Sequence, residues 1–170
     1  MSRNPYADLP QLPTFTLTSA GFADGGPLPL EQVAPAQGGL GRSPQLAWSG
    51  YPAETRSFAV TAYDPDAPTA SGFWHWALAD VPVTVTSLDV GAGADEHWPG
   101  LALRNDSLGR AYTGANPPAG HPAHHYWFAV HALDVASTGL APDATPANLG
   151  FQLFVHAIAR ATLVGVFQHR

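Results

Sequence analysis

Three segments of the chain alternate hydrophobic and polar positions with the period of two that characterises a β-strand. The first two are residues 57–64 and 74–81, and the third begins at His125 or Tyr126 and runs to Val135. Two shorter segments, near residues 15–18 and 44–48, show the same pattern over fewer positions. The pattern therefore predicts a protein built mainly from strands.

The alternation also predicts which side chains share a face of each strand. Asp64 lies at the exit of the first strand, on a face that is otherwise apolar. In the second strand, Trp74 and Trp76 are predicted to share one face, and His75 is predicted to point away from both. His75 is therefore not expected to pack beside the two tryptophan rings, and its side chain has a separate role to explain.

A helical pattern occurs once, late in the chain. Thr145 is a suitable N-cap, Pro146 suits the first turn, and Gly165 stands where a helix would end. Apolar residues recur between them at helical spacing: Leu149, Leu153, Ala157, Ile158 and Ala161. The spacing predicts one helix over this whole stretch, with residues 166–170 able to form a last strand.

These elements predict a mostly β fold of the α+β class, with a helix packed on a sheet. The length of 170 residues indicates a single domain over residues 1–170, in which the proline-rich residues 1–13 form an irregular lead-in. Seventeen glycines and seventeen prolines predict long connections. Residues 89–123 show little periodicity, and we expect this stretch to be ordered and functional.

Composition and charge narrow the function classes. The net charge is −6 with only seven basic residues, which disfavours binding of nucleic acid or anionic membranes through a basic surface. The absence of cysteine excludes disulfides, thiolate metal sites and a cysteine nucleophile. The N-terminus lacks the apolar region of a signal peptide, and no apolar run could span a membrane. We therefore expect a cytoplasmic protein without a transmembrane segment.

A first candidate cluster is the turn Asp64-Pro65-Asp66-Ala67-Pro68. Its two carboxylates could orient a histidine or bind a cation. Ordinary turn chemistry is the competing interpretation, because aspartate and proline are common turn residues.

A second candidate cluster lies at the start of the third strand. His124 and Tyr126 are two positions apart and share a face, which Phe128 continues as an apolar floor. A rim of hydrogen-bond donors over a hydrophobic base is typical of a small-ligand pocket. His121 and His125 also suggest a metal, but His124 and His125 are adjacent and point to opposite faces of a strand, so we expect no metal site.

The order of these motifs resembles the phosphatidylethanolamine-binding protein family, and most of all its bacterial branch of Raf kinase inhibitor-like proteins. The matching motifs are Pro44-Gln45-Leu46-Ala47-Trp48, Asp64-Pro65-Asp66-Ala67-Pro68, Trp74-His75-Trp76, Gly114 to Pro118, and His124-His125-Tyr126. The resemblance covers about residues 14–168. It implies a central antiparallel sheet packed on a smaller sheet, with one or two peripheral helices, and it suggests a homodimer.

The resemblance also implies an anion-binding pocket without a cofactor, suited to phosphate or to phosphorylethanolamine-like head groups. Carried over position by position, the pocket residues are Asp64, His75, Pro117, Pro118, His124 and Tyr126. An anion would accept hydrogen bonds from the histidines and the tyrosine. The aspartate would fix the tautomer of a histidine, since a carboxylate repels an anion.

Two departures from the family pattern concern this pocket. The family usually has arginine after the pocket histidine, where this chain has His125, so a titratable group replaces a permanent charge. The family's Gly-Pro-x-Pro-Pro variant occurs here as Gly114-Ala115-Asn116-Pro117-Pro118, which keeps only the last two prolines.

Non-enzymatic binding of a small anionic ligand is the function that these residues favour. One alternative is a hydrolase in which His75 or His124 is a general base oriented by Asp64, although no serine stands in an activating context. The other is an inhibitor module that acts on a partner protein through the pocket rim, where Trp98 or Trp127 could contribute if exposed.

Overall fold

The computed structural model describes residues 3–94 and 97–169. These contain nine strands, one α-helix and three short 3₁₀ turns. The strands are β1 (Thr16–Thr18), β2 (Gly26–Pro27), β3 (Leu46–Ser49), β4 (Ser57–Asp64), β5 (Phe73–Pro82), β6 (Ser87–Leu88), β7 (Leu101–Ala102), β8 (His124–Leu133) and β9 (Ala157–Phe167). The helix α1 is Pro146–His156, and the 3₁₀ turns are Leu30–Gln32, Pro35–Gln37 and Ala92–Ala94.

The strands form two sheets. The larger has six strands in the order β2-β9-β8-β4-β5-β7, and the smaller has three in the order β1-β3-β6. Neighbouring strands are antiparallel throughout, except that β2 is parallel to β9. The predicted fold class, a central and largely antiparallel sheet with a smaller sheet and a peripheral helix, is confirmed.

Each face of the six-stranded sheet covers its own apolar core. On one face, residues of β4 and β8 such as Val60 and Phe128 pack with β3. The ring of Trp48 on β3 lies 5.4 Å from that of Phe58 on β4. On the other face, small residues such as Ala59 and Ala77 pack with Leu149 of α1. Because both faces are covered, the central strands are buried at nearly every position.

The predicted alternation holds in β4 and β8, but the prediction for β5 is wrong around His75. Ala62 pairs with Trp76 and Tyr63 pairs with Trp74, so His75 is an extra residue opposite a single step of β4. Such a β-bulge breaks the strict alternation of faces. Trp74 therefore packs against Tyr63, at 4.3 Å between rings, while Trp76 lies in the core between the sheets.

The helix begins where the sequence predicts, but it ends at His156, well before the predicted end at Gly165. Thr145 and Asn148 form a capping box, and Pro146 occupies the first turn. The chain then leaves the helix at Ala157 and continues directly as β9. The prediction that the helix extends to Gly165 is wrong, because alanines fit either structure and pairing with β8 along ten residues favours the strand.

The first residues form no helix or strand in the described part of the chain, yet they pack on the sheet. Tyr6 lies edge-to-face against Trp127 at 6.0 Å, and the backbone N–H of Arg160 donates to the carbonyl of Pro13 at 2.9 Å. In the described residues, no helix is both long and apolar enough to cross a bilayer.

Candidate functional site

Three neighbouring strands bring four of the six predicted site residues, Asp64, His75, His124 and Tyr126, to one end of the six-stranded sheet. β4 ends at Asp64, and its neighbours β5 and β8 run antiparallel to it and begin at Phe73 and His124. The end of a strand lies beside the beginnings of its antiparallel neighbours. Residues that are up to 60 positions apart in the chain are thereby adjacent in space.

The two carboxylate oxygens of Asp64 have different partners. Oδ1 accepts hydrogen bonds from the backbone N–H groups of Asp66 and Ala67, at 2.8 and 3.1 Å. Oδ2 accepts from Nδ1 of His124 at 2.8 Å, and both side chains are at most 4% exposed. The turn interpretation and the histidine-orienting interpretation are therefore both correct, one for each oxygen.

The bond to Asp64 sets the chemistry of the His124 ring. Because a carboxylate accepts, the proton of this bond lies on Nδ1, and Nε2 is left to face the site. In the described residues, no side chain or backbone group hydrogen-bonds to His124 Nε2. The ring of His121 lies 5.8 Å away.

His75 reaches the same site from the bulge in β5. Its Nδ1 donates to the carbonyl of Thr113 at 2.6 Å, and its ring lies 5.2 Å from that of Tyr126. Burial lowers the pKa of His75, although the Thr113 carbonyl and the Asp64 carboxylate act in the opposite direction. At neutral pH the ring is therefore uncharged, and its Nε2 carries a lone pair.

Tyr126 contributes a hydroxyl that has no hydrogen-bond partner. The residue is 1% exposed and follows His124 on the same face of β8, as predicted. The backbone of Asn116 interacts with the hydroxyl strongly enough to act on its pKa, but it makes no hydrogen bond of normal geometry with it. Burial, reinforced by the Asp64 carboxylate, raises the pKa of Tyr126, so the hydroxyl keeps its proton and can donate it.

The two predicted prolines lie in the long connection before β8. Pro117 is buried, and its carbonyl accepts from Nε2 of Gln37 at 2.8 Å. Pro118 is exposed, and its carbonyl accepts from the backbone N–H of His121 at 3.2 Å. The carbonyl of each proline thus accepts one hydrogen bond, and neither bond comes from His75, His124 or Tyr126.

Asp66 holds His125 as Asp64 holds His124. Oδ2 of Asp66 accepts from Nδ1 of His125 at 2.8 Å and from its backbone N–H at 2.9 Å. This pair is about a quarter exposed, whereas the Asp64–His124 pair is buried. The two histidines have separate carboxylates, and the described residues contain no group of three or more metal-ligating side chains.

Two residues at the site were not singled out from the sequence. The buried side chain of Asn105 donates to the carbonyls of His75 and Ala111, at 3.1 and 2.7 Å. Thr113 contacts His75 through its carbonyl, and its hydroxyl accepts from Asn105 Nδ2 at 3.4 Å. A backbone carbonyl carries no residue-type signal, and an isolated asparagine in a loop is ordinary turn chemistry until its partners are known.

Sequence comparison identifies relatives along nearly the whole chain. A family model described as phosphatidylethanolamine-binding protein matches residues 18–168. The UPF0098 protein YbcL of Escherichia coli K12 is 40% identical over 164 residues, covering 93% of this chain and 90% of YbcL. YbhB of the same organism is 40% identical over 156 residues, covering 89% of this chain and 98% of YbhB.

Solved structures show the same fold. The crystal structure of E. coli YbcL, described as a new member of the mammalian PEBP family, matches with a TM-score of 0.86 and 40% identity, covering 92% of this chain and 99% of that chain. A phosphatidylethanolamine-binding protein from Plasmodium vivax matches with a TM-score of 0.59 over 98% of this chain and 92% of that chain. The latter is 15% identical, so this likeness concerns the fold alone.

Proposed function

The chain belongs to the phosphatidylethanolamine-binding protein family, a family of small-molecule binding proteins, and from this premise we propose that it binds a small anionic, phosphate-bearing ligand without transforming it. The proposed pocket consists of Asp64, His75, Pro117, Pro118, His124 and Tyr126. The observation that carries the proposal is the Tyr126 hydroxyl, which is buried without a partner beside His75. A buried donor without an acceptor is costly, and a ligand oxygen would satisfy it.

The ligand is held by hydrogen-bond donors rather than by a permanent positive charge. The contacts of His75, His124 and Tyr126 among the described residues include no arginine. A phosphate oxygen would accept from the Tyr126 hydroxyl, and Nε2 of His124 would face the ligand. Hydrogen bonds to an ionised acceptor are roughly twice as strong as neutral ones, so a few donors are sufficient.

Asp64 orients His124 and does not contact the ligand. Both of its oxygens are already occupied, one by the turn and one by the ring. The hydrogen bond fixes the ring with its proton on Nδ1, so that Nε2 faces the ligand.

Calorimetric titration with inorganic phosphate and with phosphorylethanolamine tests the proposal. We expect saturable binding of both, and a loss of about tenfold in affinity in Tyr126→Phe with no loss of folding stability, because the hydroxyl has no hydrogen bond to lose. Tyr51→Phe, a phenol outside the pocket, is the matched control. Absence of saturable binding, or equal affinities in wild type and Tyr126→Phe, would refute the proposal.

A further variant, His124→Ala, distinguishes binding from hydrolysis. In the described part of the chain, no serine or threonine hydroxyl bonds to either histidine ring, which supports a non-catalytic site. We expect no turnover of ester or phosphoester substrates above the rate in buffer. Turnover that disappears in His124→Ala would establish the hydrolase alternative instead.

Self-association and location belong to this proposal as well. We propose a homodimer, which sedimentation velocity at micromolar concentration would detect as a species of twice the monomer mass.

We also propose a cytoplasmic location, which fractionation of the native cells would test. A monomer at all concentrations, or recovery outside the cytoplasm, would contradict the respective proposal.

A further inference from the structure

A cavity of about 270 Å³ lies on the face of the six-stranded sheet opposite the proposed pocket. Its floor includes Tyr63 and Trp74, whose chain neighbours Asp64 and His75 belong to the pocket on the other face. The lead-in closes one side through Leu12, and α1 closes another through Leu153. The walls are mainly apolar, which suits a hydrophobic ligand body.

An arginine without a carboxylate partner lies at this cavity. Nε of Arg160 donates to Nε2 of His131 at 2.9 Å, and its guanidinium lies 4.5 Å from the ring centre of Tyr6. Among the described residues, no carboxylate lies within salt-bridge distance of Arg160. Its terminal N–H groups are therefore available to an anion.

His131 adds a second donor that the fold does not use. Because Nε2 accepts from Arg160, the proton of the neutral ring lies on Nδ1. This Nδ1 is buried without a hydrogen-bond partner in a residue that is 1% exposed. Burial, aided by the Arg160 charge, lowers the pKa of His131 to about 3, so the ring remains neutral.

The charge of the lining favours an anion over a cation. Two of the seven basic residues of the chain, Arg3 and Arg160, line the cavity, and no aspartate or glutamate is among the described residues that line it. Because the molecule as a whole carries a charge of −6, this concentration of positive charge is local.

We propose that this cavity is a second binding site, for a small hydrophobic molecule that carries one carboxylate. The carboxylate contacts Arg160, and the hydrophobic body lies against Leu153 and Trp74. Planar guanidinium groups match carboxylates well. The site does not depend on the proposed phosphate pocket, from which the sheet separates it.

Titration with 3-phenylpropionate, monitored by calorimetry, tests this site. Its amide, 3-phenylpropionamide, is the matched probe because it keeps the shape and removes the charge. We expect saturable binding of the acid and an affinity at least about tenfold lower for the amide and for Arg160→Gln. Equal affinities for acid and amide, or no saturable binding of the acid, would overturn the proposal.

Gly150→Leu tests the location without disturbing the sheet. Gly150 lines the cavity from α1, and a Cβ added there meets nothing within 4 Å, so we expect a leucine to be tolerated, to narrow the cavity and to favour the helix. We expect this variant to abolish binding of 3-phenylpropionate. Val155→Leu, at an exposed position of the same helix, is the control and should bind normally.

The two proposals fail in different ways. Loss of 3-phenylpropionate binding in Tyr126→Phe, with binding retained in Gly150→Leu, would place the ligand in the phosphate pocket and overturn the second site. Loss of 3-phenylpropionate binding in Gly150→Leu, with binding retained in Tyr126→Phe, supports the second site whether or not phosphate binds.

Discussion

Asp64 and Asp66 stand two residues apart, and each accepts a hydrogen bond from Nδ1 of a different histidine. One pair is buried, whereas the other is about a quarter exposed. Removing one partner of a buried hydrogen bond to a carboxylate is more costly than removing one partner of a solvent-exposed bond, because the buried group left behind has no water to bond to. Similar bonds are therefore expected to differ in their contribution to stability.

Asp64→Asn and Asp66→Asn test this difference. We expect Asp64→Asn to lower the free energy of unfolding by about 3 kcal/mol, because an amide has one acceptor oxygen for three existing donors. Asp66→Asn should cost less than about 1 kcal/mol. Urea denaturation measures both, and equal losses would contradict the assignment of the buried pair.

Anion binding in the proposed pocket is expected to take up protons. Burial lowers the pKa of His75, so the free site has an uncharged ring at neutral pH, and a bound dianion favours the imidazolium. The pKa in the complex is then higher than in the free protein, and affinity rises as the pH falls. Sulfate is the suitable probe because its own charge is constant. We expect its affinity to increase from about pH 8 to about pH 6.

Calorimetry of sulfate binding in two buffers of different ionisation enthalpy would count the protons directly. His75→Gln should reduce the uptake, since it removes one titratable ring. Equal sulfate affinities at both pH values, with no proton uptake, would contradict the prediction.

His131 should make folding stability depend on pH. Its pKa is lowered to about 3 by burial, whereas an exposed histidine in the unfolded chain titrates near 6.5. Between these values the unfolded chain binds a proton that the folded protein does not. This contribution is complete above about pH 6.5 and is lost as the pH falls, by about 1 kcal/mol per pH unit.

Denaturation of wild type and His131→Gln at several pH values isolates this contribution. The glutamine carbonyl can still accept from Arg160, while the titratable ring is gone. We expect a shallower loss of stability on acidification in the variant. The same slope in both proteins would contradict the prediction.

Two secondary-structure elements differ from their sequence patterns, and each for a definable reason. The bulge in β5 moves His75 onto the side of Tyr126, although strict alternation separates it from that face. β9 replaces the second half of the predicted helix, because pairing with β8 decides between two conformations that alanines fit equally. The local sequence pattern indicates the spacing of apolar residues and their preference for helix or strand. A bulge or a strand pairing depends in addition on the neighbouring strand.

Gly165 illustrates how a pattern can identify a special residue and assign it the wrong role. It lies inside β9, opposite Tyr126, rather than at a helix end. A Cβ at this position would overlap Cδ2 of Leu28 and lie 3.2 Å from Cε2 of Phe22. Glycine is therefore required by the close packing of the segment before and after β2.

Gly165→Ala and Gly150→Ala form a matched pair. We expect the first to destabilise the protein by about 1–3 kcal/mol, because Leu28 is buried and must move. The second should stabilise it by up to about 1 kcal/mol, since α1 has open space there and alanine is the better helix former. Urea denaturation provides both values, and a neutral Gly165→Ala would contradict the packing argument.

The six-stranded sheet divides the molecule into two faces with different chemistry. One face ends in the Asp64–His124 pair and the Tyr126 hydroxyl, and the other carries Arg160 and His131. Hydrogen-bond donors can hold an anion on a molecule of charge −6 because they act over contact distances, whereas the net charge is screened beyond about 10 Å.

The two proposed sites are expected to bind independently. The sheet between them is hydrogen-bonded on both sides of β4, so occupancy of one face should not rearrange the other. Saturating 3-phenylpropionate should change the dissociation constant of phosphate by less than about twofold. Calorimetric titration of phosphate with and without the second ligand measures this, and a larger change would reveal coupling through the sheet.

The amino-acid sequence by itself determined the fold class, the central strands, the helix start and the order of motifs that identifies the family. These depend on period, capping and local residue type, which can be identified along the chain. Only the tertiary structure decided the division of Asp64 between a turn and His124, the bulge at His75, the end of α1 and the cavity at Arg160. Each of these depends on atoms distant in sequence, and their positions are set by strand pairing and packing.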